Sequence, residues 1–272
     1  MLLVTFSNPA TTIIHRQKEA LAIHIHTNGS ESFNFSSEFR MPTTNADCGQ
    51  LVKGFVELNL NLNCSEDGLI VGADGTTIRL NNHTITGPGP DSSKVGISVG
   101  SHDNVTIEGP GTIEHFQTGI LASGAKRTLI SKMIIRHDQI GVSSTGTKNL
   151  QVSQNMITDN EIGMASHSSN SLEIRENRFT SNILTGISLV NTLDSNIYKN
   201  NLMQSQNGIF TDAQSSYNRI GSNEVHTNVI DLNNGNGLPI NVNSNNYSNN
   251  KCETSNPDGL CTIAINTLQT QQ

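Results

Sequence analysis

His115, His137 and Asp159 recur at 22-residue intervals, each two places beyond an isoleucine of the series Ile113, Ile135 and Ile157. Glu114 and Asp138 stand beside them. Two imidazoles and neighbouring carboxylates on one edge have the donor types to hold a divalent metal, or to serve as an acid–base pair. The competing explanation is a polar turn edge where such residues fall by chance, since His83, His102, His167 and His226 are scattered elsewhere. Other chemistry is sparse. Glycoside hydrolysis needs two carboxylates at a set separation. A strand of the form Gly-Ile-x-apolar repeats through the chain, and its outward positions are Ser98, Leu121, Ser143, Ala165, Ser188 and Phe210, with neither acid nor base among them. The strand that follows offers Thr106, Gln151 and Glu173, and Glu173 beside Arg175 reads as a solvated ion pair. Aromatic residues make up 4% of the chain and Trp is absent, so stacking on a sugar ring falls to Phe210, Tyr198 and Tyr217.

The elements that position these residues are legible from a repeat. Gly recurs at 96, 119, 141, 163, 186 and 208, spaced by 22 or 23 residues. Asn155, Asn177, Asn200 and Asn223 keep the same phase, as does the apolar column Ile113, Ile135, Ile157, Phe179, Leu202 and Val225. A period of this size means stacked supersecondary units. Each unit holds three short stretches of alternating apolar residues, the signature of strands with one face toward a core, and turn-forming residues fill the gaps. The expected fold is all-β: a right-handed parallel β-helix solenoid of about 22 residues per coil, three short strands per coil. Successive coils lie ~4.8 Å apart. The Asn column becomes an inward ladder whose amides bond along the axis. A leucine-rich repeat needs Leu where this chain has Thr147 and Ser169, which disfavours a horseshoe.

The chain of 272 residues is 34% apolar and 14% charged, with net charge −7. No cluster of Lys and Arg suits a nucleic-acid partner. No stretch approaches the ~18 apolar residues of a membrane span. Four cysteines flank the repeat at spacings unsuited to zinc knuckles. Disulfides Cys48–Cys64 and Cys252–Cys261 would staple the two ends and place the protein in an oxidising compartment, extracellular, cell-surface or periplasmic. Sequons at Asn28, Asn34, Asn63, Asn82, Asn104 and Asn246 agree with export, although "MLLVTF" is too short for a clear signal-peptide core. The expected organisation is a poorly ordered leader or cap over 1–46, a β-helix with an N-terminal cap strand over 47–250, and a C-terminal cap or tail over 251–272. Arg16 to His24 has the composition of one short helix. In "LVKGFVELNLNLNC", Val56, Leu58, Leu60 and Leu62 alternate as the inner face of the cap strand.

These units resemble those of the right-handed parallel β-helix, or pectate-lyase-like, superfamily. Their "N-x-I-x-x-N-x-x-G-I-x-L" rhythm is most similar to NosD-type repeat proteins. "DGLIVGADGTTIRLNNHTITGPG", from Asp67 to Gly89, resembles the first coil of that superfamily. The likeness covers about 65–250. It implies a coil that carries polysaccharide-acting enzymes, adhesins and inert rods alike. "NTLD" at Asn191 to Asp194 is an interrupted polygalacturonase motif, and that branch's other motifs are missing. The expected function is an exported, non-catalytic scaffold that binds a polysaccharide or cell-surface glycan on its side face, without a resident cofactor. One alternative is a carbohydrate-active lyase, hydrolase or epimerase built on the His115–His137–Asp159 edge, with a divalent metal there. A second, implied by the NosD-type resemblance, is a copper-handling accessory protein, although clusters of soft Met or Cys donors are lacking.

Overall fold

A computed structural model describes residues 46–261. The expected leader over 1–45 with its short helix, and the tail over 262–272, lie outside the described residues. Every strand is short, every strand–strand pairing is parallel, and all but the last pairing of the first sheet skip two elements of the sequence. The first sheet has ten strands from Gln50–Val52 to Ser255–Asn256, the second nine from Phe55–Glu57 to Asn246–Ser248, and the third eight from Leu62–Asn63 to Glu224–His226. One strand from each sheet makes a coil, so the chain winds as a parallel β-helix of about nine coils with no helix among the described residues. The apolar column stacks in register along the third sheet, Ile113 on Ile135, Ile157, Phe179, Leu202 and Val225, and all six side chains are fully buried.

The glycine column has a steric cause. A Cβ placed on Gly119, Gly141, Gly163 or Gly186 would lie 2.6–2.7 Å from the carbonyl oxygen of the next glycine in the column. The coils meet there backbone to backbone, and a methyl group would wedge them apart. The asparagine column has an electrostatic cause. Asn177 is typical of its rungs: Nδ2 donates to Val152 O (2.8 Å) and to Asn200 Oδ1 (3.0 Å), while Oδ1 accepts from the Asn155 backbone N–H (2.9 Å) and Asn155 Nδ2 (3.0 Å). Asn250 extends this ladder one coil further than the repeat predicts. Turn backbone that would otherwise be buried without partners is thereby satisfied.

The ends depart from the regular period. In the coil that ends at Val95 the ladder partner lies 28 positions back, and near the C-terminus the step is 27. Cys48–Cys64 and Cys252–Cys261 are both closed, with Cα atoms 5.4 and 5.2 Å apart. The single cap strand expected over 51–64 is instead a full coil of three strands, Gln50–Val52, Phe55–Glu57 and Leu62–Asn63, each paired with its counterpart in the next coil. Val56, Leu58 and Leu62 are buried as expected, but the chain turns at Leu60, which is 48% exposed.

Candidate functional site

His115, His137 and Asp159 each follow a strand of the third sheet, Thr112–Glu114, Ile134–Arg136 and Met156–Thr158 respectively. These strands are in register, and the extra residue of the Gly96 coil is absorbed by a bulge opposite Leu121 and Ala122 in the first sheet. The two imidazoles stack, with ring centroids 5.2 Å apart and an interplanar angle of 17°. All three residues have left-handed backbone, with φ of 62°, 58° and 57°. Ser181, Gln204 and Thr227 continue the column in the same conformation. His and Asp are enriched in this region, so the turn itself favours them in the first three coils.

The neighbours of the pair are already engaged. Glu114 accepts from Arg136 Nε (2.8 Å) and from Thr86 Oγ1 (3.2 Å). Asp159 is exposed and accepts from the hydroxyl of Thr158 (2.8 Å). Imidazole lone pairs lie in the ring plane, so two nearly parallel stacked rings do not aim them at one point between the rings. Among the described residues no three His, Cys, Asp or Glu side chains are grouped so as to hold a metal.

Asp138 corrects the sequence reading. Adjacent residues in this corner point to opposite sides, and while His137 faces solvent, Asp138 is 3% exposed inside a second ladder. Its Oδ1 accepts from the Phe116 backbone N–H (2.7 Å), its own N–H donates to Asn160 Oδ1 (3.0 Å), and its Oδ2 has no partner. One coil on, Asn160 Nδ2 occupies the corresponding place and donates to Ile135 O (3.3 Å) and Asn182 Oδ1 (3.0 Å). Asp138 Oδ2 therefore sits where the ladder calls for a donor. Burial, followed by the nearby charge of Glu114, pushes its pKa up to about 8, against the pull of the Phe116 N–H. The carboxyl is held protonated at neutral pH as a structural rung.

The three aromatics do not form one platform. Phe210 lies on the first sheet, in the outward column with Ser98, Leu121, Ser143, Ala165 and Ser188. Tyr198 lies on the second sheet, half-buried, its hydroxyl donating to Glu173 (2.8 Å). Tyr217 occupies the corner before the second sheet and is 70% exposed. It lines an open groove of ≈ 490 Å³ together with Asp194, Asn196, Arg219, Ser244 and Asn246. Asn196, Arg219 and Asn246 are directly opposed on three successive strands. The sequence reading selected Tyr217 for stacking and named Asp194 and Asn246 only as parts of an interrupted motif and a sequon; Asn196, Arg219 and Ser244 it did not select. The signal that could have found them is registral: Arg219 has an amide, not an acid, one coil to either side.

The family model described as "Periplasmic copper-binding protein (NosD)" matches residues 60–259, well over half of the chain. No curated protein matches the sequence. Among solved structures, a point mutant of the periplasmic alginate epimerase AlgG is 12% identical over 74% of this chain and 70% of that one, with a TM-score of 0.48. The Dettilon tailspike protein (gp208) is 15% identical over 78% of this chain and 56% of that one, with a TM-score of 0.42. The A-module of the Azotobacter vinelandii mannuronan C-5 epimerase AlgE4 is 12% identical over 74% of this chain and 80% of that one, with a TM-score of 0.36.

Proposed function

The chain belongs to the NosD family, and within it we propose the role of an exported, non-catalytic β-helix scaffold that binds carbohydrate on its side face. The observation that carries this reading is the groove at Tyr217. Its lining combines amides, a guanidinium, one carboxylate and an exposed phenol ring. Such a set offers donors and acceptors to hydroxyls and a flat apolar face to a sugar ring. It supplies one carboxylate, Asp194, where hydrolysis of a glycosidic bond calls for two. Export is supported by the two disulfides and by the family's description as periplasmic.

That description also names copper. Thiolate ligation is closed to it, since all four cysteines are tied in disulfides. Met133 and Met164 are buried in the core, while Met156 and Met203 reach the outer face of the third sheet, Met203 opposite His226, with no group of three His, Cys, Asp or Glu among the described residues to complete a site. The stacked imidazoles face each other across their ring planes. No chemical step is therefore assigned to a metal.

The test is a panel of neutral and acidic polysaccharides, scored for binding by calorimetry and for turnover by reducing ends or by the ultraviolet absorbance of an unsaturated product. Binding without turnover is the expected result. Turnover of any member would sink the non-catalytic role, and failure to bind any member would sink the carbohydrate role.

A further inference from the structure

The arginines of the described chain are not treated alike. Arg79 pairs with Glu108 (3.3 Å), Arg127 with Asp103 (3.2 Å), Arg136 with Glu114 (2.8 Å), and Arg175 with Glu173 (2.8 Å) and Glu176 (3.1 Å). Arg178 donates to Thr180 Oγ1 (3.1 Å). Among the described residues Arg219 has no side-chain hydrogen bond and no ion pair. Its in-register neighbours are Asn196 and Asn246, whose side chains are likewise unbonded among the described residues. Asp194 lines the same groove without reaching Arg219 as an ion pair.

Tyr217 supplies an independent observation. Its corner position is filled in earlier coils by Asn104, Arg127, Asn149, Ser171 and Asp194, all with positive φ. Tyr217 keeps that conformation at φ 61°, which is uncommon for a bulky ring. The ring is nonetheless placed in solvent at the groove's edge rather than in the core.

We infer that this groove is a subsite for an anionic glycan: Arg219 takes a carboxylate or sulfate of the sugar, Asp194 and the two amides take its hydroxyls, and Tyr217 takes its ring face. The inference rests on the carbohydrate reading and adds the ligand's charge and its anchor. A guanidinium fork matches a planar carboxylate through two parallel hydrogen bonds, which an amide cannot do. Asn196, Arg219 and Asn246 lie ~4.8 Å apart along the axis, so a glycan laid across the strands meets one polar side chain per coil. One unpaired arginine among the described residues of an acidic chain suits a ligand with isolated charges better than a dense polyphosphate.

The experiment uses the full chain and calorimetric titration with three oligosaccharides of equal length: a polyuronate, a sulfated glycan and a neutral glucan. At least one acidic oligomer is expected to bind about tenfold or more tighter than the glucan, with affinity falling as salt rises. Arg219→Gln should abolish that preference, and Arg219→Lys should restore part of it. Tyr217→Ala should weaken all binding. Arg219 is exposed, and an unchanged far-UV circular dichroism spectrum checks that the variant folds. Equal binding of acidic and neutral oligomers would overturn the anionic class while leaving the carbohydrate reading intact. Full acidic preference in Arg219→Gln would overturn the anchor. Absence of binding to all three, and to the wider panel, would fell the carbohydrate reading itself.

Discussion

Two ladders of buried side chains run through the same coils, and they are built to different standards. The ladder of Asn155, Asn177, Asn200, Asn223 and Asn250 is uniform, and each rung bonds the next through both its backbone N–H and its amide. The other passes through Phe116, Asp138, Asn160, Asn182, Ser205 and Asn228. It contains an unpartnered carboxylate oxygen at Asp138 and an unpartnered hydroxyl at Ser205. Stability in a solenoid is close to a sum of nearest-neighbour terms, so a defective rung weakens its own coil without unmaking the rod. The uniform ladder carries cohesion, and the mixed one records which rungs the fold tolerates losing.

The largest expected effect is in the uniform ladder. Asn177→Ala orphans the Asn155 N–H and one Asn155 amide hydrogen and takes one donor from the Val152 carbonyl. It should cost roughly 3–5 kcal/mol, read as a drop in the urea midpoint. Asn182→Ala should cost less, because Asn182 has no amide bond to the Ser205 rung below it; equal losses would break the comparison.

Asp138→Asn comes next, and its sign is opposite. The new amide would donate to Ile113 O, as Asn160 does to Ile135 O. In the parent, the folded state keeps the Asp138 proton up to about pH 8 while the unfolded chain releases it near pH 4. The folded state thus binds more protons through that window, and this group makes stability fall as pH rises from about 4 to about 8. Thermal unfolding should show Asp138→Asn more stable by roughly 1–3 kcal/mol at pH 8, with the advantage shrinking toward pH 4. A variant less stable at both ends would refute the protonated rung.

Ser205→Asn should mend the other defect and add about 1 kcal/mol to unfolding stability. A ladder amide lies 3.0–3.2 Å from where a Cβ would stand on Gly141, Gly163 and Gly208, and none is among the nearest atoms at Gly186, beside Ser205. A loss of stability would mean that the coil has closed around the serine. The smallest effect belongs to His137→Ala, within about 0.5 kcal/mol, since the ring is exposed and does not enter the ladder beneath it. A loss of several kcal/mol would show that the imidazole stack is structural.

The uniform ladder was legible in the sequence because nothing but Asn satisfies that corner for four coils in a row. The mixed ladder escaped because Phe116, Asp138 and Ser205 interrupt it, and a column of unlike residues has no visible period. Asp138 was misread for a related reason. Its neighbour His137 drew it into an outward cluster, and only the coordinates show that consecutive residues at a corner face opposite ways. The groove was hidden more deeply. Its residues are ordinary in type, and what marks them is a missing partner, which appears only once the register of three strands is known.

The glycine column has a last consequence. Backbone meets backbone at each of these positions, so the glycine itself cannot take a side chain, and variation in length falls elsewhere: the Gly96 coil takes its one extra residue in a bulge at the far end of the strand, and larger changes take the corners or whole coils. The molecule therefore behaves as a ruler. Excising residues 141–162 would join one glycine unit directly to the next and carry the Tyr217 groove ~4.8 Å closer to the N-terminal disulfide, its lining unchanged. The reach of the groove from either end is set by the number of turns between them, independently of the chemistry the groove performs.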